Sequence, residues 1–142
     1  MQEAPVAFNL ADFESAETAT LEVLGPTGEP LMFNGHSVRI ELYGPGSQQG
    51  VEAQAKMEQA AQSIAMQAAV AAGKGKPAKD TADEMRELQL KKLAAVTKTL
   101  INFPVPGGPL ALYSNTKLGY ITRQVERFQA DWANFPTGSS RT

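Results

Sequence analysis

The 142-residue chain has a formal net charge of −2 and 42% hydrophobic residues, which suits one compact domain. Because it has no cysteine and a single histidine, His36, its composition excludes a disulfide framework, a thiolate metal site and a zinc site built from several histidines. Its lysines and arginines form no basic face with interleaved aromatic residues and no apolar run is long enough to span a bilayer, so we expect neither nucleic-acid nor membrane binding.

The first segment, residues 1–18, is acidic and shows no sustained hydrophobic period. It lacks the basic start and apolar run of a signal peptide, so we expect a cytosolic protein. We predict that this segment is a flexible acidic amino-terminal arm, or alternatively an extended segment docked on the domain. Residues 19–135 are predicted to form a single α+β domain.

Two stretches near the start of that domain favour β-strands. Thr20–Leu24 (TLEVL) is rich in strand-forming residues and ends at the turn sequence GPTGEP. After Asn34-Gly35, three apolar residues alternate with polar ones, as in a strand with one buried face: Val38, Ile40 and Leu42. The pattern predicts a small antiparallel hairpin or sheet of two or three strands, which needs a helix or another chain against its apolar face.

The next segment favours a long helix with a thin apolar stripe. Ser47 is a good helix N-cap, and the sequence from Gln48 to Ala72 contains no proline. On its apolar face, large side chains such as Met57 and Ile64 are separated by alanines, which permit close approach of another helix. We therefore predict partner binding or self-association through Met57 and Ile64, and a surface spacer helix is an equally good interpretation.

Residues 73–80 contain glycine, lysine and proline and predict an elbow or linker. Thr81 and Glu84 form a capping box that begins a second helix, predicted to continue to about Ile101. The proline-rich and glycine-rich stretch Phe103–Pro109 is predicted to be a non-helical turn.

The clearest helical pattern in the chain lies between Leu118 and Phe135. Its apolar residues recur in steps of three and four and share one face: Leu118, Ile121, Val125, Phe128, Trp132 and Phe135. The simpler interpretation is a core helix; the alternative is that the aromatic end, Phe128, Trp132 and Phe135, captures a partner. Residues 136–142 are predicted to be a mobile polar tail. The whole predicts an α+β, predominantly helical fold in which an amino-terminal β-hairpin or sheet precedes three helices.

Motifs for chemistry do not stand out. The chain has no cysteine nucleophile, no second histidine, no Gly-x-Ser-x-Gly elbow, no dinucleotide fingerprint and no phosphate-binding loop. We therefore predict a protein that is not an enzyme, with no catalytic residue, cofactor or metal site.

The order of these pieces resembles the tail assembly chaperones of long-tailed, siphovirus-type bacteriophages. The resemblance spans about residues 18–138 and is carried by TLEVLGPTGEPL, HSVRIELYGPGS, ADEMRELQLKKLAAVTKTLINF and LYSNTKLGYITRQVERFQADWANF. Its most specific parts are Leu112–Ile121 and Gln124–Phe135. The helix Val51–Ala72 departs from the family pattern, where more arginine and lysine is expected, and Phe103 stands where a tryptophan-bearing turn is common.

The resemblance implies a non-enzymatic viral protein with defined partners. Such a chaperone binds the tape measure protein, keeps it soluble and helps to recruit tail tube protein, and a homo-oligomer is possible. It acts in the host cell cytoplasm and is not expected in the mature virion. The alternative is a structural subunit of the phage tail or of the head–tail connector, and an enzyme is a third and weaker alternative.

Overall fold

The computed structural model describes residues 7–75 and 81–138. Within them the chain forms five strands, β1 (Thr18–Glu22), β2 (Met32–Phe33), β3 (His36–Ser37), β4 (Arg39–Tyr43) and β5 (Thr97–Ile101). The α-helices of the same residues are α1 (Gln48–Gly73), α2 (Thr81–Ala95), α3 (Gly108–Ser114) and α4 (Gly119–Ala130). Short 3-10 turns occupy Leu10–Phe13, Thr116–Leu118 and Trp132–Asn134. The α+β fold class is confirmed.

A three-stranded antiparallel sheet with the order β1-β4-β5 forms the centre of the fold. The predicted alternation holds in the central strand, because Val38, Ile40 and Leu42 are all buried. The first strand begins at Thr18 and ends at Glu22, so it lies slightly earlier than the predicted Thr20–Leu24. Since one face of the sheet carries the large aliphatic side chains, the register of β4 is strongly specified.

A second, two-stranded sheet pairs β2 with β3 around Asn34-Gly35. Both turn residues have positive φ, 52° at Asn34 and 78° at Gly35, which is the geometry of a tight hairpin turn. The Asn102 side-chain amide donates to the carbonyls of Phe33 and His36 at 2.9 and 3.0 Å. This small hairpin is thereby fastened to the residue that follows β5.

The prediction of a second helix through Ile101 is wrong beyond Ala95. Residues Thr97–Ile101 instead form β5, the third strand of the main sheet, paired with β4. The β-branched Thr97 and Thr99 favour an extended backbone, and Val96 is fully buried where the chain turns from helix to strand. The Thr97 hydroxyl also lies 2.7 Å from the Tyr113 hydroxyl, which fixes the start of the strand.

The carboxyl-terminal third contains two helices where one was predicted. The short helix α3 begins within the stretch predicted as a non-helical turn, with a proline in its first turn, where a missing N–H costs nothing. Gly107 precedes this helix and Gly108 is its first residue, and their φ angles are 85° and 77°. The last helix, α4, ends at Ala130 and not at Phe135. The described residues therefore contain four α-helices, where three were predicted.

The core lies between the main sheet and the helices α3 and α4. Its fully buried side chains come from these elements and from residues that follow β1, α2 and the last 3-10 turn: Val23, Ile40, Leu42, Val96, Leu112, Ile121, Val125 and Phe135. The Gln124 amide joins α4 to the end of the first strand, donating to the Leu24 carbonyl at 2.7 Å and accepting from the Leu24 N–H at 2.8 Å. Burial of Ile121 and Val125 agrees with the core interpretation for the first half of the predicted stripe.

Helices α1 and α2 pack side by side as a helical hairpin beside the sheet. Ser47 caps α1 as predicted, its hydroxyl accepting from the Gly50 N–H at 3.0 Å. Buried residues lie only near the base of this hairpin: Gly50 and Ala53 in α1, and Leu93 in α2. The predicted elbow 73–80 connects the two helices, and its residues 76–80 lie outside the described part of the chain.

The segments near the two ends of the described chain lie against each other. The Ala16 N–H donates to the Pro136 carbonyl at 3.0 Å, and Ser15 forms a β-bridge with Thr137. Of the predicted arm, residues 7–14 are exposed, Ala16 is buried, and residues 1–6 lie outside the described part. Residues 139–142 of the predicted tail also lie outside it.

Candidate functional site

The residues predicted to bind a partner fall in two places. Phe128, Trp132 and Phe135 lie at the end of α4 and just after it, whereas Met57 and Ile64 lie on α1. Met57 faces the end of α4 across a surface pocket of about 210 Å³ that Gln129 and Ala130 also line. Ile64 lies about two turns farther along α1 and is half-buried. The structure thus brings Met57, but not Ile64, close to the carboxyl-terminal part of the predicted site.

Phe135 lies in the core and is removed from the candidate contact residues. Its side chain is 1% exposed, and its ring stacks edge-on against Phe128 with a centroid distance of 5.8 Å. The ring also lies directly on the backbone of Gly44, where an added Cβ would come within 2.9 Å of it. A side chain enclosed in this way cannot contact a partner unless the domain opens.

Trp132 is exposed because the helix ends before reaching it. Asp131 has an extended backbone, and its carboxylate accepts from the Ala133 N–H at 2.9 Å, which begins the 3-10 turn Trp132–Asn134. The indole then lies over Gly46, whose added Cβ would come within 2.8 Å of it. One part of the ring therefore contacts backbone, and the side chain remains 57% exposed.

Two phenylalanines of the amino-terminal segment join Trp132, and this was not predicted. Phe8 and Phe13 stack with their centroids 5.5 Å apart and are 77% and 64% exposed. Phe13 and Trp132 line one surface pocket of about 370 Å³ with Glu14 and Glu17. We name Phe8, Phe13 and Trp132 the aromatic patch.

The exposure of Phe8 and Phe13 could be predicted from the local sequence, but their position beside Trp132 could not. Both residues lie in an acidic segment without a hydrophobic period, which favours exposed aromatic side chains. Their position beside Trp132 depends on the contacts that Ser15 and Ala16 make with residues 135–137. No periodicity or cap encodes contacts across the whole length of a chain.

A second apolar concavity follows the seam between α1 and α2. It has a volume of about 260 Å³ and is lined by Ala53, Lys56, Met57, Ala60, Leu88, Lys91, Lys92 and Ala95. Partial burial lowers the pKa of Lys92, and the nearby Glu58 carboxylate opposes that shift. The lysine stems can cover apolar surface while their ammonium groups reach water. The seam is therefore smaller than the pocket beside Trp132 and partly covered by charged side chains.

Tyr113 places a titratable phenol in the core. Burial raises the pKa of Tyr113 to about 12, and the hydrogen bond to Thr97 opposes the shift. Among residues 7–75 and 81–138, no three His, Asp or Glu side chains gather as a metal site would need. His36 lies exposed in β3, at the edge of the small hairpin.

The aromatic patch is thus an exposed apolar surface outside the packed core. In the described part of the chain, no helix is both long and apolar enough to cross a membrane. No protein-family model matches the sequence, and no match is found among curated proteins or among solved structures.

Proposed function

We propose that this protein is a tail assembly chaperone of a long-tailed bacteriophage. It binds the tape measure protein, keeps that chain soluble and helps to recruit tail tube protein, without catalysing a reaction. It works in the host cell cytoplasm and is left out of the mature virion. The order of the sequence motifs between about residues 18 and 138 supports this proposal.

The observation that carries the proposal is the exposed aromatic patch on a domain whose core is otherwise well packed. Phe8, Phe13 and Trp132 leave most of their surface in water, although the same chain buries Phe135 completely. Large exposed apolar groups lying together on a small domain mark an interaction surface. A protein that shields the apolar stripes of a long helical client requires such a surface.

Co-expression with the tape measure protein tests this function. We expect the tape measure protein to be soluble and to co-purify with this protein, and to be insoluble when expressed alone. The control is a variant of this protein that does not fold, such as Ile40→Asp, because Ile40 is fully buried. Equal solubility of the tape measure protein with and without its proposed chaperone would contradict the proposal.

A structural subunit of the tail or head–tail connector is the second candidate. The α1–α2 hairpin favours it, because its outer surface carries exposed Val51, Met66 and Val70, which could contact neighbouring copies in a ring. Mass spectrometry of purified particles separates the two functions. A structural subunit is present in stoichiometric amount, whereas a chaperone is missing.

A further inference from the structure

We propose that the aromatic patch and the acids around it bind a basic amphipathic helix of the partner protein. This inference rests on the proposed function, because it names the chemistry of the segment that the chaperone captures. The occupant follows from three properties of the surface: its continuity, its fixed geometry and its charge.

The aromatic patch is continuous although its members are far apart in sequence. Phe8 stacks on Phe13, and Phe13 shares its pocket with Trp132. This pocket is an open surface concavity of about 370 Å³. It can accept apolar side chains from one face of a helix.

Several backbone contacts hold the aromatic patch in place. Ala16 and Ser15 pair with residues 136 and 137, and the Gly44 N–H donates to the Glu17 carbonyl at 2.8 Å. The Asn9 side chain caps the turn that carries Phe13, accepting from the Ala11 N–H at 3.1 Å. A surface that is ordered before binding loses less conformational entropy when the partner docks.

In the described part of the chain, the charged residues that line the pocket of the aromatic patch have one sign. They are Glu14 and Glu17, and no lysine or arginine of the described residues lines the pocket. Asp12 and Asp131 are the chain neighbours of Phe13 and Trp132, and residues 7–38 contain no lysine or arginine. Acidic groups beside exposed aromatic rings favour a partner with lysines or arginines flanking its apolar stripe.

A helix suits this surface better than a strand or a second copy of the chain. Phe13 and Trp132 lie on two 3-10 turns and Phe8 lies just before the first of them, so the aromatic patch presents side chains and not a strand edge. Apolar anchor residues at helical spacing would fit such a surface. A symmetric dimer through the same patch would bring two sets of acids together, which opposes self-association.

The single tryptophan of the chain makes this proposal directly measurable. Because Trp132 is the single tryptophan, the tryptophan fluorescence of the protein reports contact at the aromatic patch. The probe is a synthetic helix of about 18 residues, without tryptophan or tyrosine, with leucines on one face and lysines on the other. A second peptide keeps the leucines and replaces every lysine by glutamate.

We expect the lysine peptide to shift the Trp132 emission to shorter wavelength and to saturate. The affinity of the glutamate peptide should be at least roughly tenfold lower, and added salt should lower the affinity of the lysine peptide. The double variant Glu14→Gln, Glu17→Gln should lower affinity for the lysine peptide by about tenfold. The matched control Glu22→Gln, Glu52→Gln removes the same charge at exposed positions elsewhere and should bind as the wild type does.

Three results would overturn the inference. The first is equal affinity for the two peptides, and the second is a Glu14→Gln, Glu17→Gln variant that binds like the control variant. The third is a blue shift produced by raising the protein concentration alone, which would show that a second copy covers Trp132.

The two proposals fail in different ways. If the lysine peptide does not bind but the tape measure protein is still kept soluble, the aromatic patch is not the capture surface and the chaperone function stands. If the peptide binds as expected but the tape measure protein is not kept soluble, the surface stands and the chaperone function fails.

Discussion

Different interactions stabilise the main sheet with its covering helices and the α1–α2 hairpin. In the first region, Ile40 and Leu42 of β4 and Val125 of α4 are fully buried, although the two elements are far apart in sequence. In the second, the helix propensity of α1, its Ser47 cap and a seam of alanine, methionine, leucine and lysine side chains hold two neighbouring helices together. The first region therefore resists substitution at specific buried positions, and the second should tolerate most single changes.

The largest effect is expected in the centre of the sheet. Ile40→Asp places a carboxylate in a fully buried position and should destabilise the fold by about 4 kcal/mol or more, or prevent folding. Arg39→Ala, at the exposed neighbouring position, should change stability by less than about 0.5 kcal/mol. Urea unfolding of both variants measures the difference, and equal midpoints would show that the assigned faces of β4 are wrong.

Substitutions at Phe135 and Trp132 compare a buried aromatic residue with an exposed one. Phe135→Ala removes a buried ring and should cost about 3–5 kcal/mol, whereas Trp132→Ala removes a mostly exposed one and should cost about 1 kcal/mol or less. Thermal unfolding gives the stabilities, and co-expression with the tape measure protein scores capture. A folded Trp132→Ala variant that still keeps the client soluble would exclude Trp132 as a capture residue.

Gly44 tests how closely the Phe135 ring approaches the backbone. An added Cβ would lie 2.9 Å from that ring and 3.1 Å from the Ala16 carbonyl oxygen, so Gly44→Ala should destabilise by about 1–3 kcal/mol. Gly73→Ala is the matched control at the end of the hairpin helix α1, where an added Cβ meets no atom within 4 Å. That control should be neutral or stabilise by up to about 1 kcal/mol in chemical denaturation.

The smallest effect on stability is expected in the hairpin. Ile64 is half-buried, so Ile64→Glu should cost about 1 kcal/mol and leave the monomer folded by circular dichroism. If α1 contacts another copy or the client, the variant should also change self-association in light scattering or reduce client binding. A wild type that is monomeric at every concentration, with client binding unchanged in the variant, would leave α1 as a surface spacer helix.

Elements with local signals were predictable from the sequence. The alternation of Val38, Ile40 and Leu42 predicted β4, and the N-cap residue Ser47 predicted that α1 begins at Gln48. The segment Thr97–Ile101 was missed, because Lys98 and Leu100 fit the preceding helix and the strand exists only through its pairing with β4. Long-range pairing can override local helix propensity.

The candidate site was harder to predict than the fold. Trp132 satisfies the helical spacing of α4, but the capping carboxylate of Asp131 ends the helix and turns the indole outward. Phe135 satisfies the same helical spacing, but it follows the 3-10 turn Trp132–Asn134, and its ring is buried against the backbone of Gly44. A periodic stripe shows which residues are apolar, and it does not show which of them a change of backbone direction will expose.

The bridge between Ser15 and Thr137 also determines how the protein can be labelled. Because Ser15 and Trp132 line the same pocket, a peptide tag inserted next to Ser15 or Thr137 would lie near Trp132 and compete with the partner. The exposed residues Gly73–Gly75 at the opposite end of α1 offer an insertion point remote from that surface.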